Sequence, residues 1–198
     1  QAGLRFDYRK ITTDTHGVEG EEGYFKAIDK NFKSFNASLG YKTTIKENFI
    51  VRLNVASGFR APNLAELTSN GVHEGSNRYE IGNSDLKNEQ NLQTDLNIEF
   101  KSTHFEWFTN GFYNHINNYI FIAPTGTQID GFNVYQYSQA NANLFGGETG
   151  IHFHPHPLDW LHFTSSFEMV LGEKSNGDFQ LQLGRKNRYN YSIFERKI

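Results

Sequence analysis

The sequence predicts an antiparallel, all-β transmembrane barrel segment of about seven long strands, eight if 187–197 is counted. Three observations carry this. Apolar and polar residues alternate with a period of two over most of the 198 residues, the signature of strands with two unlike faces. The alternating stretches run for roughly 10 to 20 residues, well beyond the ~5–6 usual in soluble proteins. The connections alternate between long and short, as they do when short turns lie on one side of a membrane and long loops on the other.

Composition agrees. Hydrophobic residues make up 37% and aromatics 15%, with 18 Phe, 10 Tyr and 2 Trp, and mean hydropathy is −0.63. A barrel whose alternate residues face water explains that low hydropathy without a soluble fold. No run approaches the ~18 apolar residues of a spanning helix. The absence of cysteine excludes disulfide frameworks, zinc fingers and thiol nucleophiles. A net charge of −3 argues against a nucleic-acid partner. The first residues alternate like a strand, and no signal peptide is read there.

Taken in order, Ala2, Leu4, Phe6 and Tyr8 alternate with Gly3, Arg5, Asp7 and Arg9. Phe35, Ala37, Leu39 and Tyr41 form the apolar side of the second strand, and Phe49, Val51, Leu53 and Val55 that of the third. The clearest case sets Leu92, Leu96, Ile98 and Phe100 against Gln93, Asp95, Asn97 and Glu99. The first group is expected to face lipid and the second the lumen. Segment 105–122 is less regular, since Phe108, Phe112 and Ile116 oppose Phe105, Trp107 and Tyr113. Ile151 and Phe153 oppose Glu148, His152 and His154, and Leu161, Phe163, Phe167, Met169 and Leu171 oppose His162, Thr164, Ser166 and Glu168. The long or intermediate connections are expected at 12–31, 58–90, 122–132 and 172–178. The tight ones are expected at 44–48, 101–104 and 155–159. Tyr8, Tyr41, Trp107, Tyr119 and Trp160 lie near strand ends, where aromatic girdles form. The basic stretch after Gln182 reads as a charged tail or a final strand.

Four segments carry a resemblance. Gly58-Phe59-Arg60-Ala61-Pro62-Asn63-Leu64-Ala65-Glu66-Leu67 resembles the FRAP segment of TonB-dependent outer-membrane transporters. Glu80-Ile81-Gly82-Asn83-Ser84-Asp85-Leu86-Lys87-Asn88-Glu89 resembles the family's GNPNLKPE box, departing from it at Ser84 and Asn88. Phe112 to Ile120 is similar to its FYNRIDDYI strand. Asn141-Ala142, Gly146-Gly147-Glu148 and Pro157-Leu158-Asp159-Trp160 are similar to its N…GxE…PxxW stretch. The landmarks stand in the family's order across 58–172. The resemblance implies that residues 1–198 are an internal or C-terminal portion of a larger, plugged barrel in the Gram-negative outer membrane. The chain itself would lack the plug domain, the TonB box and the terminal aromatic of such barrels. It also implies import of a scarce nutrient, most simply a metal complex (ferric siderophore, haem or zinc). Outer-membrane lipid, the protein's own plug and the TonB complex would be its partners.

The residues allow a local reading as well. Gly58 permits a sharp exit from a strand, and Pro62 ends ladder donation. Arg60 ends the strand, and could reach a plug carboxylate or an anionic ligand. Gly82-Asn83 reads as a turn device, and Gly146-Gly147 as a bulge or a close backbone approach. No catalytic motif is present, so neither an enzyme nor a resident cofactor is expected. His152-x-His154-x-His156 is the densest histidine cluster, at a tight-turn end, and reads first as turn or lumen residues. His73, between the two boxes, suits haem iron or zinc, with Glu74, Glu80 and Glu66 as oxygen donors. The candidate ligand-binding residues are therefore His73, Glu74, Glu80 and Arg60, with His73 the candidate metal ligand. The alternatives are a small closed eight-stranded barrel with a structural or adhesive role and, more remotely, a soluble β-sandwich. Pairing between the first strand and the last would favour the small barrel.

Overall fold

A computed structural model of the chain describes residues 1–157, 161–175, 180–181 and 185–193, the last two stretches as backbone alone. Among the described residues, one antiparallel wall contains, in spatial order, β1 (Ala2–Thr13), β2 (Ile28–Ile45), β3 (Phe49–Arg60), β6 (Glu89–Lys101), β7 (Phe105–Ile129), β8 (Phe132–Phe153) and β9 (Leu161–Lys174). β11 (Arg185–Ile193) follows against β9, preceded by the two-residue β10 (Gln180–Leu181). Between β3 and β6 the chain leaves the wall to form helix α1 (Leu64–Thr68) and the hairpin of β4 (Asn70–His73) and β5 (Arg78–Ile81). β5 joins the wall in parallel, beside residues 134–136 of β8.

Register explains why the alternation is so regular. Cross-strand partners share a face, and Leu4 is opposite Ala37, Phe6 opposite Phe35, Leu53 opposite Leu96 and Phe49 opposite Phe100. One face of the wall is thus apolar. It leaves Leu4 90%, Phe35 83%, Leu39 64% and Leu92 53% exposed, a surface that only lipid satisfies. The other face is polar and internally hydrogen-bonded. Arg52 donates to Asn97 Oδ1 at 2.6 Å and is ion-paired with Glu99. Gln93 donates to Asp95 at 2.6 Å, and Asn97 to Asn110. Leu92, Leu96, Ile98 and Phe100 therefore occupy the lipid side, and Gln93, Asp95, Asn97 and Glu99 the lumen side, as the alternation predicts. Phe49, Phe100 and Phe105 form an aromatic row near the tight turns, with ring centres 4.8 and 6.2 Å apart.

The irregularity of segment 105–122 has a packing cause. Phe108 and Phe112 lie on the lumen face opposite Gly150 and Gly146, each ring covering a glycine backbone. A Cβ on Gly150 would stand 2.5 Å from the Phe108 ring, and one on Gly146 3.0 Å from the Phe112 ring. The register shifts of β7 fall at 116–119 and 124–128. Gly146-Gly147 is accordingly a close approach rather than a bulge.

Two expectations need correction. The connection expected at 122–132 is mostly ladder, because β7 and β8 stay paired up to Ile129 and Phe132. The turn is only Asp130-Gly131, both at positive φ (50° and 83°), the backbone that a two-residue hairpin requires. The small closed barrel is excluded, since among the described residues β1 pairs only with β2 and β11 only with β9. The sheet is open. A sandwich is excluded too, because the described strands form one sheet. Trp160, with its neighbours 158–159, lies outside the described residues, as do 176–179 of the connection expected at 172–178 and the end of the strand expected at 187–197.

Buried apolar residues collect where the 61–88 excursion folds back onto the wall. Ile28, Leu67, Leu86 and Ile120 form a cluster joined by Ile11 and Tyr137. The longest connection is thereby anchored at the mouth on the side opposite the tight turns.

Candidate functional site

The mouth is built around one guanidinium. β3 ends at Arg60, and the buried Ala61 and Pro62 turn the chain into α1. Asn63 caps that helix. Its Oδ1 accepts from the Glu66 N–H at 2.8 Å, while Glu66 accepts from the Asn63 N–H at 2.9 Å, a reciprocal capping box. The same Glu66 carboxylate receives Arg60 Nη1 at 2.9 and 3.0 Å. Arg60 also forks onto Glu89, with Nε donating at 2.8 Å and Nη2 at 2.7 Å. Glu89 is its cross-strand partner and accepts the Ile120 N–H at 2.8 Å. Both carboxylates are nearly buried, at 11% and 12% side-chain exposure. Arg60 thus joins the end of β3, the first turn of α1, the start of β6 and the backbone of β7.

The second box packs directly on the first. A Cβ on Gly82 would lie 2.6–2.7 Å from the backbone of residues 67–69, so only glycine fits. The Gly82 N–H donates to Ser69 O at 2.6 Å and the Asn83 N–H to Glu66 O at 2.9 Å. Asn83 Oδ1 accepts the Asp85 N–H at 2.9 Å, and its amide nitrogen reaches Tyr137 O at 3.3 Å. Asn83 makes the turn, whereas Gly82 permits the contact.

The β4–β5 hairpin carries the other candidates. His73 and Glu74 lie exposed at its tip, with Ser76 Oγ 3.2 Å from His73 Nδ1. Glu80 is buried nearer the base, bound by Arg78 at 2.8 Å and by the Tyr137 hydroxyl at 3.1 Å. Arg78 also stacks on Tyr135, 5.0 Å from the ring centre. The structure brings Arg60 together with Glu66 and places His73 beside Glu74 at the tip. Glu80 stands between, in its own ion pair. Among the described residues no group of three His, Asp or Glu is already arranged to hold a metal ion. The pairing of Arg60 with Glu89, 29 positions apart, carries no local sequence signal.

At the opposite rim, five of the eight histidines gather. The ring centres of His152 and His162 are 5.4 Å apart, and His154 is 5.6 Å from each. His104 lies 5.3 Å from His154 and 4.7 Å from His156. Desolvation, then the neighbouring His104, His152 and His162, holds His154 below the ordinary imidazole pKa.

The family model for the TonB dependent receptor-like β-barrel matches residues 1–194. Among solved structures, the chain is similar to the copper transporter OprC, with a TM-score of 0.72 at 15% identity over 91% of this chain and 27% of that one. It is similar to the siderophore receptor PirA from Pseudomonas aeruginosa (TM-score 0.61, 24% identity, 87% of this chain, 35% of that one). A third similar structure is the Serratia marcescens hemophore receptor HasR in complex with its hemophore and heme (TM-score 0.65, 12% identity, 90% and 35%). At these identities the likeness concerns the fold. The chain spans about a quarter to a third of the length of these proteins.

Proposed function

This chain belongs to the TonB-dependent receptor β-barrel family of the Gram-negative outer membrane, a family of transporters and not enzymes, and from that premise we propose that it forms part of the wall and mouth of an importer for a scarce metal complex. The observation that carries the reading is the two-faced wall, apolar outside and hydrogen-bonded polar inside, with the 61–88 excursion anchored at its mouth. A polar inner face suits a wetted lumen that a plug domain fills and that the TonB complex opens from the periplasmic side. The neighbours named for copper, siderophore and heme support a metal-containing cargo, and ferric siderophore, haem and zinc are the classes that the sequence offers for comparison.

Within the mouth, His73 is the proposed cargo contact, because its imidazole is exposed at a hairpin tip beside Glu74. Glu80 supports the hairpin from below, and Arg60 holds the base on which it stands. Titration of the intact receptor with zinc, haemin and a ferric siderophore separates the cases. If cargo metal is bound directly, His73→Ala weakens zinc or haemin binding at least ~10-fold, since even outer-shell changes cost roughly 10–100-fold. Unchanged affinity for both would remove His73 from the site and favour a siderophore held by aromatic and Arg contacts.

A further inference from the structure

The histidine cluster at the tight-turn rim lies outside the mouth and is not needed for the transport reading. Its geometry follows from register. β8 and β9 pair His152 with Thr164 and Phe153 with Phe163, and one step further sets His154 opposite His162. β7 and β8 pair Phe105 with Phe153, and the next step sets His104 beside His154, whose N–H donates to His104 O at 3.0 Å. Alternate residues share a face, so His152 and His154 both join His162 on the lumen side of the rim.

We propose that His152, His154 and His162 form a binding site for a borderline divalent cation of the zinc class. Three ring centres at 5.4, 5.6 and 5.6 Å make a nearly equilateral triangle. Three imidazoles bound to one tetrahedral zinc, with Zn–N of ~2.0–2.1 Å, place their ring centres about 5.2 Å apart. His152 Nε2 and His162 Nδ1 are already 3.2 Å apart; two nitrogens on such an ion are separated by about 3.3 Å. His162 now stacks on both His152 and His154, while His152 and His154 are tilted at 42° to each other, and rotation of the rings about their side-chain bonds would be needed to turn one nitrogen of each to a common centre.

Two neighbours suit the site. His104 Nδ1 is buried without a hydrogen-bond partner, a donor or acceptor available to a fourth ligand or a bound water. Glu106 stands opposite His152 in the β7–β8 register, its carboxylate ion-paired with Lys101 at 2.6 Å, so the rim beside the imidazoles holds a balanced charge pair rather than an uncompensated cation. No cysteine competes anywhere in the chain, so a nitrogen-only site selects zinc, copper(II) or nickel over softer ions.

The test is a titration of the intact, chelator-treated receptor in detergent micelles with Co²⁺ alone, followed by Zn²⁺. The expected result is about one equivalent of Co²⁺ with the visible absorption of tetrahedral nitrogen coordination, displaced by Zn²⁺. The double variant His152→Ala/His162→Ala should abolish that absorption, and His154→Ala should weaken binding at least ~10-fold. His16→Ala and His115→Ala should leave it unchanged, and any equivalent lost only in His73→Ala belongs to the mouth. Absence of the absorption in the unsubstituted protein, or its survival in the double variant, would overturn the proposal and leave the 3.2 Å contact as an imidazole–imidazole hydrogen bond. Should the double variant fail to insert, His154→Ala decides alone, because His154 follows the end of β8 and its loss removes no strand residue.

Discussion

At Arg60 the backbone leaves the ladder, and the same side chain ties two nearly buried carboxylates to that exit. Removing the guanidinium leaves Glu66 and Glu89 facing each other without a cation, and like charges sharing a site are unfavourable. Arg60 is itself 42% exposed, which moderates the loss, so Arg60→Ala should cost about 1–3 kcal/mol. Arg60→Lys should restore little of it, since an ammonium cannot fork onto Glu89 while reaching Glu66. Limited proteolysis of the intact receptor, with cleavage within 61–88, reads this directly. Equal resistance of wild type and Arg60→Ala would show that the junction is dispensable. Half of this junction is legible in the sequence, because Asn63-x-x-Glu66 before an apolar residue is a capping-box pattern. Its other half is not, because nothing local to Glu89 announces a partner on another strand. Gly82 is a similar case. Its type suggested a turn, and only the packed helix reveals that a side chain has no room there.

At the scale of the strands, period-two patterning decides nearly everything, because a one-residue slip would turn every lipid-facing side chain into the lumen. That is why the orientation of β6 is readable from four apolar and four polar residues. Where the pattern failed, it failed for lumen-side packing. Phe108 and Phe112 are apolar yet inward, and their partners are glycines in a strand about 40 residues further along the chain. The extended β7–β8 hairpin carried a signal in Asp130-Gly131, which the surrounding glycines, threonines and proline obscured. Orientation can be tested on adjacent residues of one strand. Leu96→Arg places a charge on the lipid face and should cost about 2–4 kcal/mol, whereas Asn97→Arg on the lumen face loses only the bonds to Arg52 and Asn110 and should cost about 1–2 kcal/mol. Folding of both variants into lipid vesicles under urea gives the comparison. Equal penalties, or a larger one at Asn97, would reverse the assigned faces.

For the molecule as a whole, the decisive feature is an open wall with an apolar outer face. Pairing between β1 and β2 satisfies every second amide of β1, while the remaining N–H and C=O groups along Ala2–Thr13 face away from the sheet. In hydrocarbon each unsatisfied group costs several kcal/mol, so a spanning strand does not remain an edge. The chain covers 27% and 35% of the two transporters cited first, and the strands that close the wall belong to the rest of such a barrel. The sequence carries this only through its resemblance, for alternation reports which face a residue occupies and never how many strands complete the circle. Hydrogen exchange on the intact receptor in micelles provides the check. Amides of residues 4–9 that point away from β2 should exchange as slowly as those that point toward it. Fast exchange confined to the outward set would mean that β1 is a free edge in the assembled protein. The barrel would then have to shield that strand by some means other than a neighbouring strand.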